Sequence, residues 1–304
     1  MKYAVLGASG IGKYHFRELQ ALNCEVVAIL GKTDKTAKET AESLGKIYKK
    51  KVNSYSDLNK LLDQEKIRGV IVATPAETHY DFVKLCLLKG INVFCEKPLV
   101  SKNIYRSTKE LLEIAKERKV VLGVNNQWPA FLKNVEIPKK IISFSVSSEP
   151  GSQNEDLLFD HLSHANSLLV RLIPRGSVKD IALVMKGRGE IGVSFVYQNS
   201  QTKCLVEYSF RFKEDRPRKL SFSINGEVYE RIIGENYQQS ILNKGKVKAI
   251  EDPLSVSVMK FVEAVEQGGE TLTSEEEILE NAALQEEIMR EYHSFISKLA
   301  FQKK

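Results

Sequence analysis

The chain has 304 residues, a formal net charge of +6 at pH 7 and 42% hydrophobic residues. This length suits two globular domains. No apolar run approaches the ~20 residues that a membrane helix needs, and the basic residues are spread out without interleaved aromatic side chains, so we expect neither membrane nor nucleic-acid binding. The chain starts without a leader-like apolar segment, and its cysteines lack metal-ligand spacing. We therefore expect a cytoplasmic protein whose cysteines are reduced and buried.

Strand and helix patterns alternate over the first part of the chain. A buried strand is predicted at 2–6, and further strands at 26–30, 52–55, 70–73, 93–95 and 120–124. Helical patterns lie between them, at 11–22, at 36–44, after a cap at Ser56, at 78–88, and at 102–117 after a cap at Ser101. Such alternation predicts βαβ units, and hence an α/β first domain at 1–124 with a doubly wound parallel sheet.

The pattern changes in the second part of the chain. A strand at 141–146 and a helix at 157–172 lead into consecutive strands at 181–185, 193–197, 205–212 and 220–224. Asn225-Gly226 is the residue pair that a type I′ hairpin turn requires. Two helices close the chain, at 253–267 and at 275–299, the latter opened by a capping box at Ser274 and Glu277. We expect an α+β second domain at 125–304 with a mostly antiparallel open sheet.

The strands of this second domain also suggest an assembly. Polar residues alternate there with the large apolar residues Val193, Phe195 and Tyr197. Since an antiparallel sheet buries one face within its own domain, we expect the other face to be covered by another copy of the chain. The sequence therefore predicts a homodimer or homotetramer formed through the second-domain sheet.

A glycine-rich segment joins the first strand to the first helix. It contains Gly7, Gly10 and Gly12, with Ser9 and Ile11 between them. Glycines allow a tight turn there and let backbone N–H groups face an anion at the helix N-terminus. The dinucleotide-binding fingerprint has glycine where Ser9 stands, so the segment alone is equally typical of an ordinary tight turn.

Polar residues follow two other strands of the first domain. Thr74, Pro75 and His79 follow the strand at 70–73, and Glu96 and Lys97 follow the strand at 93–95. Ligands of open α/β sheets bind beyond the carboxyl ends of the strands, which is where these residues fall. Taken alone, the Glu-Lys-Pro tripeptide at 96–98 is more typical of a surface ion pair before a helix.

Three segments together resemble a known family. The patterns GxSGxGxxH at 7–15, ATPxxxH at 73–79 and CEKPL at 95–99 resemble the glucose-fructose oxidoreductase, inositol dehydrogenase and rhizopine-catabolism (Gfo/Idh/MocA) family. The resemblance covers the first domain well and continues more thinly through 158–164, 252–261 and 272–276. The chain departs from the family at Ser9, at Gln127 where arginine is frequent, at Ser167 where many members have an acid, and in a short segment at 128–155.

The resemblance implies an oxidoreductase that moves hydride between a nicotinamide cofactor and a secondary alcohol or ketone of a sugar, cyclitol or nucleotide sugar. It places Lys97 near nicotinamide and substrate, and the family's DxxxH motif on Asp160 and His164. Residues four apart share one face of a helix. We expect His164 to act as base, Lys97 to stabilise the oxyanion, and Asp160 to orient His164 or hold a hydroxyl. The cofactor is expected to contact Gly7, Ser9, Gly10, Ile11, Gly12, Thr74, Pro75, His79, Glu96 and Lys97.

Parts of the sequence allow three other interpretations. Asp160, His161 and His164 could begin a zinc site, but the ligand shell is incomplete, so we expect no metal. Tyr105 and Lys109 match the YxxxK pair of short-chain dehydrogenases, although a solvated helix face explains them better. A non-enzymatic NADP-binding regulator of the same fold is the alternative to an enzyme.

The end of the second strand predicts the dinucleotide. An acidic residue there would bind the ribose 2′-hydroxyl of NAD, but this chain has Gly31, followed by Lys32 and Thr33. A small residue beside a cation and a hydroxyl leaves room for a 2′-phosphate and offers it partners. We therefore expect NADP(H) rather than NAD(H), and we expect Asp34 to be a first-turn acid of the next helix.

Overall fold

The computed structural model describes residues 1–187 and 189–302. Residue contacts divide the chain into two units: one comprises Met1–Gln127 together with Leu254–Glu275, and the rest of the described chain forms the other. This division differs from the expected continuous domains at 1–124 and 125–304, because residues 254–275 belong to the first unit although they follow most of the second in the chain. Across the described residues, no helix is both long and apolar enough to cross a membrane.

The first unit is built on a six-stranded parallel sheet in the order β3-β2-β1-β4-β5-β6. Every residue of β4 and β5 is buried, as expected for parallel strands covered on both faces. The doubly wound α/β prediction is confirmed. Its elements are β1 (Lys2–Leu6), α1 (Gly12–Ala21), β2 (Glu25–Leu30), α2 (Asp34–Tyr48), β3 (Asn53–Tyr55), α3 (Leu58–Gln64), β4 (Gly69–Val72), α4 (His79–Leu88), β5 (Asn92–Cys95), α5 (Ile104–Arg118) and β6 (Leu122–Val124).

Two helix starts differ from the predicted caps. Helix α3 begins one residue after Asp57, whose carboxylate accepts from the Lys60 N–H at 3.2 Å, so Asp57 rather than Ser56 is the cap. Helix α5 follows Asn103, which adopts a left-handed φ of 46°, and not Ser101. In both places the residue directly before the helix is not the predicted serine, and of the two only Asp57 forms a side-chain cap bond.

The second unit contains an eight-stranded sheet in the order β14-β13-β12-β11-β7-β10-β9-β8. Only the β7–β10 pair is parallel among these strands. The prediction of an α+β region with a mostly antiparallel sheet is therefore confirmed. The elements are β7 (Ser143–Ser148), α6 (Glu155–Leu172), β8 (Ser177–Met185), β9 (Glu190–Gln198), β10 (Lys203–Arg211), β11 (Leu220–Ile224), β12 (Glu227–Ile233), β13 (Gln239–Asn243) and β14 (Lys246–Ile250).

The predicted hairpin turn joins β11 to β12. Asn225 and Gly226 both have positive φ, at 51° and 82°, as a type I′ turn requires. The Asn225 side-chain oxygen also accepts from the Ile142 N–H at 2.8 Å, which ties the turn to the start of β7. The turn prediction is confirmed, and this second contact explains why asparagine suits the first position.

Two further helices complete the described chain, α7 (Pro253–Gln267) and α8 (Glu275–Gln302). Nearly all of α7 belongs to the first unit, where Phe261 stacks on Phe94 with ring centroids 5.1 Å apart and meets the edge of Tyr3 at 6.3 Å. Val258, Val262 and Val265 join the same core. Most of α8 belongs to the second unit. All four cysteines are free and buried, as expected.

Candidate functional site

The glycine turn after β1 is closely packed at Gly7 and Gly12 and open at Gly10. Gly7 has a φ of 84°, and a Cβ there would collide with the backbone of Ala73, while a Cβ on Gly12 would collide with the carbonyl of Gly7. Gly10 also has positive φ, at 55°, but a Cβ there would meet nothing within 4 Å. Ser9 and Ile11, on either side of Gly10, are exposed. The turn thus has the close-packed base and accessible backbone that a phosphate group needs, so its residues fit a dinucleotide.

A buried polar network holds the segment that follows β5. His15 of α1 donates from Nε2 to Oε1 of Glu96 at 2.5 Å, and Asn125, just after β6, donates to the same oxygen at 2.7 Å. His15 is fully buried, and Glu96 is 9% exposed. The His15 Nδ1 atom has no hydrogen-bond partner among the described residues. The network therefore fixes the residue directly before Lys97 by contacts from two other elements.

The charge of Glu96 is stabilised inside this network. Burial alone raises the pKa of a carboxyl group, but the hydrogen bond and charge of His15, the hydrogen bond of Asn125 and the charge of Lys97 act in the opposite direction. Their combined effect lowers the pKa of Glu96 below its ordinary value. Glu96 is therefore a buried carboxylate held in its ionised form by its neighbours.

His79 holds the other side of the same segment. Its Nδ1 lies 2.8 Å from the Pro98 carbonyl oxygen and its Nε2 lies 2.7 Å from the Thr74 carbonyl oxygen. Because carbonyl oxygens only accept, the ring donates to both when doubly protonated and to one when neutral. His79 is 1% exposed. The structure thus assigns His79 a role in joining the segments after β4 and β5, whereas the sequence predicted a cofactor contact for it.

The residues after β2 have partly structural duties. A Cβ on Gly31 would lie 2.7–2.9 Å from Ala37, so glycine is required there by the close approach of α2. The Thr33 hydroxyl caps α2 by accepting from the Thr36 N–H at 3.2 Å. Asp34 begins α2, as expected, and its carboxylate accepts from the Ser56 hydroxyl. Lys32, Thr33 and Asp34 are all exposed, and packing gives Gly31 a reason independent of the cofactor.

In the second unit, the predicted catalytic residues lie on α6. His164 is 6% exposed, and its ring stacks on Trp128 with centroids 4.8 Å apart and planes 13° apart. Asp160, one turn earlier, accepts from the Ser152 hydroxyl at 2.8 Å. Trp128 therefore fixes the plane of the His164 ring, and Ser152 fixes the carboxylate of Asp160.

Two neighbouring side chains on α6 have contacts within the same unit. The Nδ1 atom of His161 lies 2.8 Å from the Ser148 hydroxyl at the end of β7. The Ser167 hydroxyl donates to the His164 carbonyl oxygen at 2.6 Å, so it serves the helix backbone. Among the described residues, no group of three or more His, Cys, Asp or Glu side chains is arranged to hold a metal ion.

Sequence reasoning missed four contributors to these arrangements. His15 and Asn125 bind Glu96, while Asn281 and Gln285 of α8 donate to the carbonyl oxygens of Ser163 and Phe159 on α6. The spacing of His15 after the glycine turn was visible in the sequence, but its partner 81 residues away was not. Nothing in the local sequence marks the other three.

Tyr105 and Lys109, the two residues that match the YxxxK pair of short-chain dehydrogenases, lie on the surface. Tyr105 is 38% exposed on α5, and Lys109 lies 3.8 Å from Glu113 in an ion pair one turn further along the helix. Exposed pairs of this kind contribute little stability and form no enclosed site. The solvated helix face is therefore the better interpretation of these two residues.

The sheet order and the position of its polar segments define the class of the first unit. The strand order is that of the dinucleotide-binding doubly wound domains, and the glycine turn and the segments after β4 and β5 follow strands on which such domains bind ligands. Residues 1–126 match the Gfo/Idh/MocA family model, described as an oxidoreductase family with an NAD-binding Rossmann fold. Over these residues the chain is similar to that family.

Individual proteins of known sequence match parts of the chain, and a solved structure matches the fold of nearly the whole chain. An uncharacterized oxidoreductase of Schizosaccharomyces pombe is 33% identical over 134 residues, 42% of this chain and 34% of that protein. Inositol 2-dehydrogenase of Pseudomonas fluorescens is 32% identical over 101 residues, 33% of this chain and 29% of that enzyme. These matches span about a third of the relatives' length. A UDP-N-acetylglucosamine 3-dehydrogenase from Acidithiobacillus ferrooxidans superposes with a TM-score of 0.74 at 16% identity, over 95% of this chain and 96% of that chain, which shows a shared fold.

Proposed function

We propose that the protein is an NADP-dependent oxidoreductase acting on a secondary alcohol or ketone of a sugar, cyclitol or nucleotide sugar. The observation that carries this proposal is the placement of Lys97 between two anchored residues, Glu96 held by His15 and Pro98 held by His79. A lysine presented in this way offers a fixed cation where a ligand of the parallel sheet binds. The match of residues 1–126 to the family model and the dehydrogenase activity named for a relative support the same reaction class.

The first unit would hold the dinucleotide. The backbone at Gly7, Ser9, Gly10, Ile11 and Gly12 would receive the pyrophosphate, and the segments containing Thr74, Pro75, Glu96 and Lys97 would border the nicotinamide end, with His79 supporting both. When bound, the nicotinamide supplies the site that accepts or gives up hydride. The contribution of the protein is to place these groups before the cofactor arrives.

Proton handling falls to side chains of this chain. In the oxidising direction, His164 Nδ1 or Nε2 takes the hydroxyl proton, and the Lys97 ammonium group stabilises the developing oxyanion. The stacked Trp128 ring limits rotation of His164, which preserves the direction of proton transfer. Asp160 is assigned to orient His164 or to hold a substrate hydroxyl. In the reducing direction His164 returns the proton to the oxyanion that Lys97 stabilises.

The choice of NADP(H) rests on the residues after β2. No carboxylate stands at position 31, and Lys32 is available at the surface beside the Thr33 hydroxyl. Asp34 is engaged by Ser56. Lys32→Gln should therefore weaken NADP(H) binding by about 10- to 100-fold and leave NAD(H) binding nearly unchanged. A Gly31→Asp exchange is a poor test because its side chain would collide with Ala37. Equal losses for both dinucleotides in Lys32→Gln would contradict the assignment.

The reaction itself is tested by following reduced-cofactor absorbance with a panel of polyols, sugars and nucleotide sugars. His164→Ala should lower turnover about 10²-fold or more while leaving the cofactor Kd within a few-fold of wild type. His293→Ala, an exposed histidine of the same unit, is the matched control and should retain activity. Cofactor binding without turnover of any panel member would favour the non-enzymatic regulator instead.

A homodimer or homotetramer through the second-unit sheet remains part of the proposal. The face opposite α6 carries exposed apolar side chains, including Val184 at 59%, Leu205 at 51% and Val228 at 48%. Covering these residues with a second copy removes apolar surface from water. Light scattering of Leu205→Glu against wild type tests this: the variant should shift to a smaller species, and an unchanged mass would exclude this face.

A further inference from the structure

The first turn of helix α1 is hydrogen-bonded to the glycine turn. The Gly12 N–H donates to the Ser9 carbonyl oxygen at 3.2 Å, and the His15 N–H donates to the Ile11 carbonyl oxygen at 3.2 Å. These acceptors belong to the segment whose backbone is accessible to a phosphate group. The backbone of His15 is therefore fixed relative to the position at which the pyrophosphate of a dinucleotide is expected.

The His15 side chain joins this helix to the end of β5. Its ring packs edge-on against Phe94 with centroids 5.8 Å apart, and its Nε2 donates to Oε1 of Glu96 at 2.5 Å. His15 is fully buried, so competing water does not weaken the bond. A displacement of the first turn of α1 therefore moves Glu96 or breaks this bond. The residue after Glu96 is Lys97, which is half-buried.

Asn125 binds the same oxygen of Glu96 but comes from another part of the sheet. Its Nδ2 donates to Oε1 at 2.7 Å, and its backbone N–H donates to the Cys95 carbonyl oxygen at 2.8 Å. It follows β6, which β4 and β5 separate from β1 in the sheet. Among the described residues, none of its hydrogen bonds reaches the glycine turn. Of the two donors to this oxygen, His15 is thus the one that belongs to the helix starting at the turn.

We propose that His15 is a positioning residue that couples the binding of a dinucleotide pyrophosphate at the glycine turn to the position of Lys97. An anion received by the backbone N–H groups of the turn fixes the first residues of α1. His15 then holds Glu96, and Glu96 holds the residue that follows it. Lys97 is held less firmly without the dinucleotide, so the dinucleotide should bind before the substrate. The proposal rests on the proposed function for dinucleotide binding, but not for the redox reaction.

The rate at which acetic anhydride acylates Lys97 in the full chain measures how firmly this lysine is held. The rate is read by mass spectrometry, with exposed Lys116 on α5 as the internal reference. The probes are 2′-phospho-ADP-ribose and ADP-ribose, which have the pyrophosphate of a dinucleotide but no nicotinamide ring to cover Lys97. Each is used at saturation, as determined by calorimetry. A bound probe should slow acylation of Lys97 in wild type about 5-fold or more, because a lysine held in one orientation is less accessible to the reagent than one that moves.

Two variants with matched losses identify the residue responsible. His15→Leu and Asn125→Leu each remove one donor to Oε1 of Glu96. The effect of the probe on Lys97 should disappear in His15→Leu and should persist in Asn125→Leu, which is the matched control.

A second pair of variants avoids the unpaired buried charge that His15→Leu leaves on Glu96. In Glu96→Gln, the side-chain oxygen at position 96 still accepts from His15, so the effect of the probe should persist. In the double variant His15→Leu/Glu96→Gln that bond is lost without leaving a charge, and the effect should disappear.

The outcomes separate this proposal from the proposed function. Loss of the effect in both variants that contain His15→Leu, with retention in Asn125→Leu and Glu96→Gln, supports the coupling whether or not any sugar is turned over. An effect of wild-type size in the variants that contain His15→Leu overturns it, as does an equal loss in Asn125→Leu. A bound probe that leaves Lys97 unchanged in wild type also overturns the coupling, whereas redox turnover in that case supports the proposed function. Binding of neither probe overturns both the coupling and the assignment of a dinucleotide.

Discussion

The two units hold their candidate site residues in different ways. In the first unit, His15, Glu96 and Asn125 come from three separate places in the chain and are joined by buried hydrogen bonds. In the second unit, Asp160 and His164 lie one turn apart on α6, and their contacts include a serine hydroxyl and a tryptophan ring. Removing one partner should therefore affect stability far more in the first unit than in the second.

The largest expected effect comes from the buried pair. His15→Leu leaves the Glu96 carboxylate without its main partner, and should lower the free energy of unfolding by about 3–5 kcal/mol. His15→Gln keeps a donor near the position of Nε2 and should recover part of that loss. His161→Leu, in the second unit, removes the hydrogen bond of a half-buried ring to Ser148 while keeping an apolar side chain against its aromatic neighbours, and should lower the free energy of unfolding by only about 1 kcal/mol. Urea denaturation of the three variants measures the difference, and equal losses for His15→Leu and His161→Leu would remove the contrast.

A second and smaller difference in stability is expected between two glycines, Gly12 in the first unit and Gly226 in the second. Gly12→Ala forces a methyl group against the Gly7 carbonyl and should destabilise the protein by about 1–3 kcal/mol. Gly226→Ala has open space around its Cβ, and its penalty is confined to the positive φ, about 1 kcal/mol. In thermal unfolding, Gly12→Ala should have a lower midpoint temperature than Gly226→Ala. The reverse order would show that the base of the glycine turn is more adaptable than its packing indicates.

The two units also contain carboxyl groups that respond to pH with opposite sign. The pKa of Glu96 is lowered in the folded state, so its stabilising effect is present above the unfolded value of about 4.3 and is lost as pH falls through the folded pKa. Burial raises the pKa of Glu280, despite its bonds to the Gly176 N–H and the Tyr197 hydroxyl. The contribution of Glu280 is therefore full at low pH and is lost as pH rises through its folded pKa.

Denaturation at stepped pH checks these signs. Glu96→Gln should flatten the fall in stability below about pH 4.3, and Glu280→Gln should gain stability relative to wild type between about pH 4.3 and pH 7. Glutamine can still accept from the Gly176 N–H, so the second variant changes charge more than contacts. If the free energy of unfolding changed with pH in the same way in both variants and in wild type, the assigned pKa shifts of Glu96 and Glu280 would be contradicted.

The smallest expected effect concerns Ser9. It is exposed in the glycine turn, and the positive φ angles there belong to Gly7 and Gly10. Ser9→Gly should therefore change stability by less than about 0.5 kcal/mol. Any larger effect should appear in cofactor affinity, because residue 9 stands where the pyrophosphate is expected. Paired thermal unfolding and NADP(H) titration separate the two, and a stability change above this range would show that Ser9 supports the turn itself.

Local patterns in the sequence predicted the elements better than their long-range partners. The alternation of β1 to β6 with helices and the Asn225-Gly226 turn depend on short-range periodicity and backbone preference, and the structure has both. The caps at Ser56 and Ser101 were wrong because the Asp57 carboxylate caps α3 and because α5 begins only after Asn103, two residues beyond Ser101. The roles of Lys97, Asp160 and His164 remain predictions. The partnership of His15 with Glu96 depends on tertiary structure that no window of sequence reveals.

Helix α7 has a consequence for how the protein can be made and divided. Phe261 and its neighbours pack on Phe94 and Tyr3, so the first unit lacks part of its core until α7 has been synthesised. A fragment ending at residue 127 would leave this apolar surface open to water and to other chains. Separating the units by a single truncation should therefore give an aggregating product, whereas a fragment that splices 254–275 onto 1–127 restores the missing helix. During synthesis, the core of the first unit can be completed only after residues 254–275 have been made, and these follow most of the second unit in the chain.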